Sequence, residues 1–468
     1  MKSRYSFLIF LISFIFLDAK EESLIKIPLK VVNSTFEKYP IPRNINFTVE
    51  KEETVKTIFG TTIRRLIEED RQGIVNILDS ELFAAEVIIG GQNFEVILDT
   101  GSVNLWVPLI NSSDAHEIGK HYIPSSTARK TSEKFEIKYG TGSTKGYYYI
   151  EDIKFITDYS HRIKFGAASK TNFNVDGAHG IMGLAKKYKE NDYSPIWTLF
   201  DKKEIPKKSF SFKYIDEGLV DMYLGTEHDD FKNTNQTANC SLLDKSSYDQ
   251  LLWTCKLHSF GLISKNNKIN STVDFGYNFL FDTGTNTMIL PYFLLEKLKR
   301  NLDLRNFNCF EGKTEHGIQI ICNDANNLPN VVLEVGNYYL ILNEKMYYKM
   351  HVDDIAYHVL NIIFEKELII SIIGQPFFTL FHTRFDHEEK VLKFYSDDPD
   401  AIKPAININK TNNANYLPGD VLSEEDWLNK HKKAIVCVAI GIAAVAIICF
   451  IRHICSKTCF RHKSSKKI

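Results

Sequence analysis

The apolar residues of the chain fall mostly into short runs separated by Gly, Asn and charged residues, not into long helical stripes. Runs of about four to eight apolar or alternating residues are typical of β-strands. The predicted strands are Ala84–Ile89, Phe94–Leu98, Lys134–Tyr139, Gly146–Ile150, Ser209–Tyr214, Phe279–Phe281, Val331–Val335, Tyr338–Leu342 and Leu368–Ile373. A helical pattern is predicted around Val55 to Glu69. The pattern as a whole indicates a mostly β pair of domains.

Two longer apolar segments lie near the ends of the chain. Lys2 and Arg4 precede Phe7–Leu17, and Ala19 offers a small residue for cleavage, which is the layout of a signal peptide. An uncleaved membrane anchor is the alternative. The uncharged segment Ala434–Ile451 would extend roughly 27 Å as a helix, enough to cross a bilayer core. A buried core helix is the other interpretation, but nothing globular follows to bury it.

The charges beside this second segment predict its orientation. Positive residues after it are Arg452, Lys457, Arg461, Lys463, Lys466 and Lys467, against Lys430, Lys432 and Lys433 before it. This excess places the tail in the cytoplasm. We therefore expect a single-pass type I membrane protein of the secretory pathway, with its bulk luminal or extracellular. Cys455 and Cys459, beside the inner face, are candidates for palmitoylation.

Composition limits the classes of function. The 468 residues suggest two or three domains, and 44% hydrophobic with 25% charged residues excludes wholesale disorder. A formal net charge of -1 leaves no basic surplus for gripping a phosphate backbone, so a dedicated nucleic-acid binder is not expected. We expect a monomer.

Four of the eight cysteines lie outside the C-terminal apolar region and form two local couples, Cys240 with Cys255 and Cys309 with Cys322. In an oxidising lumen such couples predict disulfides, each contributing about 3 kcal/mol. Zinc binding is the alternative, but the sequence contains no CxxC or HExxH spacing. We therefore expect neither a metal site nor a cofactor.

An internal repeat divides the chain into two halves. Val96–Ser102 recurs as Phe279–Thr285, and in both copies an apolar strand ends in Asp-Thr-Gly followed by a hydroxyl residue. Each copy is followed by an apolar cluster with a proline, and then by a second repeated signal, Gly180–Leu184 and Ser371–Gly374. The same order of signals in two halves indicates gene duplication.

The repeated acidic residues, Asp99 and Asp282, suggest a specific chemistry. One Asp-Thr-Gly alone suits an ordinary turn, and two unrelated turns are the alternative interpretation. If the strands meet at a pseudo-two-fold axis, the two carboxylates share one proton and the pKa values of the pair separate. The charged member then accepts a proton from water while the other donates one to a carbonyl. This arrangement hydrolyses amides without a metal or a covalent intermediate.

The residues after each aspartate fit this chemistry. They form matched pairs: Thr100 with Thr283, Gly101 with Gly284, and Ser102 with Thr285. The threonines can hydrogen-bond across to the opposite loop, the glycines allow close backbone approach, and the last pair can donate to the outer carboxylate oxygens.

With these motifs the chain resembles a pepsin-family aspartic protease over roughly residues 24 to 398, similar to membrane-anchored or plasmepsin-like enzymes of apicomplexan parasites. The resemblance implies an all-β, bilobed pepsin-like fold with two pseudo-symmetric β-barrel-like lobes. It also implies a cleft that binds protein or peptide substrates in extended form, with Asp99 and Asp282 as the catalytic dyad.

Further residues match the family's substrate-binding elements. Tyr139, Gly140 and Thr141 resemble the flap that closes over substrate, and Trp106 resembles the tryptophan behind the flap tyrosine. Tyr139 packing on an ordinary hairpin is the alternative. By position, Ile97 and Ile181 beside the flap and Met288 near the second aspartate are candidate walls of apolar pockets, with ordinary core positions as the alternative.

The sequence also departs from the family pattern. His179 and Gln375 stand where the family commonly has Asp, and Val103 and Asn286 replace the usual Ser after each motif. The first lobe lacks its customary cysteine pair. None of these changes removes a carboxylate of the dyad.

The expected organisation has seven parts. They are a signal peptide (1–19), a propeptide (20–76), an N-terminal lobe (77–225), a C-terminal lobe (226–400), a stalk (401–433), a transmembrane helix (434–451) and a cytoplasmic tail (452–468). Lys26–Lys30 resembles the opening of the family's inhibitory prosegments, with a disordered linker as the alternative. We expect an aspartic endopeptidase made as a zymogen. The competing hypothesis is a catalytically silent, pepsin-like receptor that binds peptides.

Overall fold

The computed structural model describes residues 25–405 except 35–43, 57–61, 75–79, 114–118, 140–141, 157–158, 173–177, 187–193, 217–218, 265–268, 315–316, 353–354, 367 and 369. The predicted signal peptide, transmembrane helix and cytoplasmic tail, and most of the predicted stalk, lie outside these residues. No helix in the described part is long and apolar enough to span a bilayer.

Two large sheets dominate the described residues. The first contains β1 (Ile25–Ser34), β4 (Ser80–Ile89), β5 (Gln92–Asp99), β6 (Leu105–Ser113), β7 (Arg129–Tyr139), β8 (Gly142–Ile156), β9 (Tyr159–Thr171), β10 (Gly180–Gly183), β11 (Ser209–Asp216), β12 (Leu219–Leu224), β13 (Thr237–Ser241), β25 (His382–Asp386) and β26 (Val391–Tyr395). The second contains β2 (Asn44–Lys56), β3 (Thr62–Ile74), β14 (Thr254–Ile263), β15 (Ile269–Phe281), β16 (Met288–Pro291), β17 (Cys309–Lys313), β18 (Ile318–Cys322), β19 (Asn330–Val335), β20 (Tyr338–Leu342), β21 (Tyr347–Val352), β22 (Ile355–Leu360), β23 (Ile362–Glu365), β24 (Ser371–Ile373) and β27 (Ile402–Pro404). The strands predicted from the sequence are confirmed, although the last predicted run contributes only β24.

Helices are short in the described part of the chain. They are α1 (Pro195–Asp201), α2 (Ser247–Leu251), α3 (Tyr292–Asn301) and α4 (Gln375–Phe378), with 3₁₀ turns at Asp229–Lys232, Leu304–Phe307, Ala325–Asn327 and Glu344–Met346. A capping box begins α2, because the Ser246 hydroxyl accepts from the Asp249 amide while the Asp249 carboxylate accepts from the Ser246 amide. The fold is therefore mostly β, as predicted.

The helix predicted around Val55 to Glu69 is wrong. Its described residues, 55–56 and 62–69, belong to β2 and β3, which pair antiparallel from Asn44↔Ile74 to Lys56↔Thr62. The sequence from Thr54 to Ile63 is dense in β-branched Thr, Val and Ile, which lose side-chain freedom in a helix and fit an extended strand. The pairing of β2 with β17 adds this hairpin to the second sheet, so tertiary contact reinforces the same preference.

Strands from both ends of the described chain meet in the first sheet. Its order runs β13-β26-β25-β11-β12-β1-β4-β5, so β25 and β26 cross the lobe boundary predicted at residues 225 and 226. Phe210 and Phe385 stack at 4.9 Å between ring centroids, and Trp253 packs edge-on against both. This apolar face belongs to the main core. At the C-terminal end, β27 pairs with β20 and extends the second sheet past the predicted boundary at residue 400.

The segment that resembles a prosegment occupies a sheet position. β1 pairs with β12 from Ile25↔Leu224 to Lys30↔Leu219, and with β4 from Lys30↔Ala84 to Ser34↔Ser80. β1 thus fills the place between two strands of the first lobe, which disfavours the disordered-linker interpretation for Lys26–Lys30.

Both predicted disulfides are formed. Cys240–Cys255 joins β13 to β14, and Cys309–Cys322 joins the paired strands β17 and β18. The first links a strand of the first sheet to a strand of the second, so it ties the two sheets together.

A buried carboxylate anchors the loop after β6, in the lobe that lacks a cysteine pair. Glu151 on β8 is fully buried and accepts hydrogen bonds from Tyr122 Oη (2.9 Å), Ser125 Oγ (2.6 Å) and Thr127 Oγ1 (3.0 Å). Burial opposes ionisation, but these hydrogen bonds and one from the Asp152 amide outweigh it and lower the pKa of Glu151. The ionised side chain therefore holds the loop against the sheet.

We expect Glu151→Gln to lower the free energy of unfolding by about 2 kcal/mol at pH 7, because the donors lose a charged acceptor. A lowered folded-state pKa stabilises the protein above the unfolded-state value of about 4.3, and this stabilisation is lost as pH falls through the folded-state pKa. The difference between variant and wild type should therefore shrink below about pH 4. Urea unfolding at several pH values from acid to neutral measures this difference in the free energy of unfolding. Glu136→Gln is the control, because Glu136 is exposed. A difference that does not change with pH would contradict the anchor.

Candidate active site

The two Asp-Thr-Gly motifs occupy equivalent places in the two sheets. Asp99 ends β5, and Asp282 directly follows β15. In the first sheet β5 runs parallel to β10, with Asp99 opposite Gly183, and in the second β15 runs parallel to β24, with Phe281 opposite Ile373. Each second repeated signal therefore lies beside a first one, and the internal repeat of the sequence corresponds to a structural repeat.

The two loops are locked together by reciprocal hydrogen bonds. The Thr100 amide donates to Thr283 Oγ1 (3.2 Å), and the Thr283 amide donates to Thr100 Oγ1 (3.0 Å). The Thr100 hydroxyl donates to Phe281 O (2.8 Å), and the Thr283 hydroxyl donates to Leu98 O (2.6 Å). Both threonines are fully buried, so every one of these bonds is shielded from water. The predicted cross-bonding of the threonines is present.

Each aspartate accepts the same pair of donors. For Asp99 these are the Gly101 amide (2.8 Å, to Oδ1) and the Ser102 hydroxyl (2.6 Å, to Oδ2). For Asp282 they are the Gly284 amide (2.9 Å, to Oδ1) and the Thr285 hydroxyl (2.6 Å, to Oδ2). These donors fix both carboxylates in matching orientations.

The glycine of each Asp-Thr-Gly motif lies directly against the carboxylate of the opposite motif. A Cβ on Gly101 would lie 2.7 Å from both carboxylate oxygens of Asp282. A Cβ on Gly284 would lie 2.5 Å from Asp99 Oδ1. Since real Cβ atoms do not approach so closely, only glycine fits, and the two loops face each other at contact distance. The prediction that the motifs converge is therefore correct.

Tyr139, the predicted flap tyrosine, lies close enough to the two aspartates to interact with them electrostatically. The Trp106 indole donates to Tyr139 Oη at 2.8 Å. Burial, with the negative charge of Asp99 next in importance, raises the pKa of Tyr139 far above its usual value, so the phenol stays protonated in any working range. Hydrogen bonds with Trp106 and Ser102 oppose that rise only in part. The predicted tip residues Gly140 and Thr141 lie outside the described residues.

We expect Trp106→Phe to lower kcat/KM for peptide cleavage about fivefold, because Tyr139 loses a buried hydrogen-bond donor worth about 1 kcal/mol. Tyr139→Phe removes the other partner of the same bond. Kinetics of both single variants and the double variant should give a coupling energy of about 1 kcal/mol. Strictly additive losses would show that the bond has no part in closing the flap.

Two of the three candidate pocket residues lie in the cluster against which Tyr139 packs. Ile97 and Ile181 belong to a small apolar cluster with Trp106 and Phe135, against which Tyr139 packs. Met288 does not join it, because its side chain is fully buried in the main core. For Met288 the pocket-wall prediction is wrong, since β16 directs this side chain into the core of its lobe.

Phe135 on β7 and Tyr148 on β8 were not predicted from the sequence, and their rings lie 5.4 Å apart on these two paired strands. Phe135 precedes Tyr139 by four residues on β7, so period-two alternation counted back from the flap tyrosine would have found it. Tyr148 on β8 donates its hydroxyl to Asn104 Oδ1 (3.1 Å). No comparable signal in the sequence points to that contact.

Two of the departures from the family pattern, His179 and Gln375, have different surroundings. The His179 amide donates to Glu95 O (2.6 Å), and His179 Nδ1 accepts from the Glu95 amide (2.8 Å), so this residue ties β5 to the segment entering β10. Gln375 is buried, and neither polar atom of its side chain has a partner among the described residues. Its backbone amide donates to Thr285 O (2.7 Å), which holds α4 against the second loop.

Comparison with known proteins identifies the family. The family model for eukaryotic aspartyl proteases matches residues 82–396. The chain belongs to this family. The protease is 29% identical to pepsin II-1 of Oryctolagus cuniculus over 300 residues, covering 60% of this chain and 72% of that protein. It is 26% identical to vacuolar protease A of Neurospora crassa over 287 residues, covering 58% and 67%.

A solved structure supports the fold of the protease independently. The aspartic proteinase from Irpex lacteus superposes with a TM-score of 0.55, covering 67% of this chain and 94% of that one, at 17% sequence identity. At that identity the likeness concerns the fold alone. It supports the bilobed pepsin-like architecture expected from the sequence.

Proposed function

We propose that Asp99 and Asp282 are the catalytic dyad with which this aspartic endopeptidase activates water. The observation that carries the proposal is the reciprocal contact of the two loops, in which each glycine lies against the opposite carboxylate. Because each carboxylate lies against the loop that carries the other, the pair is placed to share one proton, which supplies a base and an acid together.

In the proposed reaction, the ionised carboxylate takes a proton from water as the water oxygen attacks the carbonyl carbon of the peptide. The protonated carboxyl group donates its proton to the carbonyl oxygen. The tetrahedral intermediate collapses when a proton passes to the amide nitrogen and the C–N bond breaks. Ser102 and Thr285, each 2.6 Å from a carboxylate oxygen, hold the reacting carboxylates in place throughout.

Profiling of the protease against a peptide library over a wide pH range tests this proposal. We expect cleavage with bulky apolar residues preferred next to the cleaved bond, since Ile97, Ile181 and Tyr139 form an apolar cluster near the flap. Binding of peptides without cleavage at any pH would favour the silent receptor and overturn the proposal. A preference for charged residues on both sides of the bond would contradict only the pocket assignment.

We also propose that the protease is made as a zymogen whose prosegment includes β1. Support comes from the position of β1 between β12 and β4 and from the resemblance of Lys26–Lys30 to prosegments. Acidification of the full chain should then yield a product that lacks β1, identified by its N-terminal peptide in mass spectrometry. A fully active protease that retains Ile25 would contradict this proposal.

Membrane tethering in the secretory pathway is a further part of the proposal. It is supported by the apolar segment 434–451 with its positive flank, and by the two disulfides, which are typical of oxidising compartments. The vacuolar relative agrees with that pathway. Alkaline extraction should leave the full chain in the membrane pellet and release a chain ended at residue 426. Plasmepsin-like specificity remains a prediction for the same peptide library.

A further inference from the structure

Two histidines and an aspartate converge at a place that the proposed reaction does not use. His228 precedes the 3₁₀ turn Asp229–Lys232, Asp230 lies within that turn, and His382 begins β25. One ligand atom from each of the three residues lies within 4.8 Å of the other two. His382 Nδ1 is 2.8 Å and His228 Nδ1 is 3.1 Å from the same oxygen, Asp230 Oδ2.

We propose that His228, Asp230 and His382 form a site for one zinc ion. Zn²⁺ binds imidazole nitrogen and carboxylate oxygen at about 2.0–2.1 Å in a tetrahedron, whose ligand atoms are then about 3.3 Å apart. The distances of 2.8 and 3.1 Å lie within about half an ångström of that edge. Two imidazoles and one carboxylate leave the fourth position open to water. The hard cations Mg²⁺ and Ca²⁺ prefer oxygen ligands and are not expected to bind.

The surroundings orient the ligands. His382, with 2% of its side chain exposed, bonds through Nε2 to Ser211 Oγ (3.0 Å), which leaves Nδ1 directed at Asp230. Phe231 packs on the His382 ring at 4.5 Å between centroids, and Tyr223 packs on the His228 ring at 4.7 Å. Such outer contacts fix imidazole orientation at metal sites.

The lone pair of His228 is already on the correct nitrogen. His228 Nδ1 accepts a hydrogen bond from the Asp230 amide at 3.2 Å, so this nitrogen carries no proton in that arrangement. Zinc would replace the amide as the partner of that lone pair, while the turn remains closed by the bond from the Phe231 amide to His228 O (3.1 Å).

Lys213 competes with the ion for the Asp230 carboxylate. Lys213 Nζ lies 2.6 Å from Asp230 Oδ2, so the carboxylate already attracts one cation. The Lys213 side chain is 20% exposed, and its ammonium lies 5.9 Å from the Tyr395 ring centroid. The side chain can therefore rotate away from Asp230 while its charge stays in contact with solvent. Zinc affinity is therefore set by exchange of this ammonium for the ion, and removing the ammonium should tighten binding.

Zinc at this place would connect distant parts of the chain. Asp230 and His382 are 152 positions apart in sequence, and the ion would join the connector after β12 to β25. A ligand that binds only the folded state raises its stability, so the temperature of unfolding reports occupancy independently of peptide cleavage.

The test uses the full chain without an affinity tag, dialysed against chelator and then against low-micromolar Zn²⁺. Bound metal is counted by mass spectrometry of the element, and affinity is measured by calorimetry. The wild type should bind one zinc equivalent more than His228→Gln and His382→Gln, and should unfold at a higher temperature with Zn²⁺ than with Mg²⁺. Lys213→Ala should lower the zinc Kd about tenfold.

His161→Gln is the matched control. His161 Nε2 lies 2.8 Å from a carboxylate oxygen of Glu204, but among the described residues no third metal ligand lies near this pair. It should keep the wild-type stoichiometry. Circular dichroism checks that the His382→Gln variant folds, and Lys213→Ala gives a readout that does not depend on losing a ligand. Equal stoichiometry in wild type and both histidine variants, or an unchanged Kd in Lys213→Ala, would overturn the proposal.

Discussion

Replacing Asp282 with Asn is expected to lower kcat for peptide cleavage by about 10⁴-fold or more while the protein stays folded. The Asn side chain keeps the shape of Asp, and its carbonyl oxygen can still accept one of the donors that now bind Asp282, the Gly284 amide or the Thr285 hydroxyl. It can neither carry the shared proton nor take one from water, so the reaction loses its acid–base pair. Asp99→Asn should have an effect of the same order.

Single-turnover kinetics with a peptide cleaved by the wild type measures this loss. Asp400→Asn is the matched control, since Asp400 is exposed and pairs only with Lys403 in the described chain, and it should keep wild-type kcat. Thermal unfolding verifies that Asp282→Asn is folded. If the folded variant retains more than about a hundredth of the wild-type kcat, the assignment of Asp99 and Asp282 as the catalytic dyad is wrong.

The second large effect is expected from Thr283→Val, which changes both stability and rate. The buried Thr283 hydroxyl donates to Leu98 O and accepts from the Thr100 amide, so valine removes a hydrogen bond from each of these two buried backbone groups. Each costs about 1–3 kcal/mol, and we expect the free energy of unfolding to fall by about 3 kcal/mol. Because the two hydrogen bonds of the Thr283 hydroxyl set the distance between the loops, kcat should also fall about 10²-fold.

Thr283→Ser is the control for this prediction, since it removes a methyl group and keeps the hydroxyl. Urea unfolding and kcat are measured for both variants under identical conditions. We expect serine to recover most of the stability and most of the rate. If serine and valine lose equal amounts, packing of the methyl group is responsible and the hydrogen bonds are not what joins the loops.

The candidate site could be predicted well because its signals are local and repeated. Asp-Thr-Gly after an apolar strand specifies an aspartate at a strand end, and the duplicate specifies its partner. The flap tyrosine and both disulfide couples also lie within short motifs. The strands followed from runs of apolar residues for the same reason, since the period of a strand is visible in neighbouring positions.

Other features depend on partners that are far away along the chain. The helix predicted around Val55 to Glu69 failed because pairing between β2, β3 and β17 outweighed a weak local pattern. Met288 was placed at a pocket because it follows the second motif, but strand alternation turns it into the core. The expectation of no metal site rested on CxxC and HExxH spacing, which a group drawn from residues 228, 230 and 382 cannot display.

The sequence by itself determined that two aspartates end matching strands in a duplicated, mostly β chain, because both the strand period and the motif are properties of adjacent residues. Only the tertiary structure decided that each glycine lies against the opposite carboxylate, that β1 lies between β12 and β4, and that two histidines meet one aspartate. These arrangements follow from the pairing and packing of strands that are distant in sequence, and no local pattern encodes them.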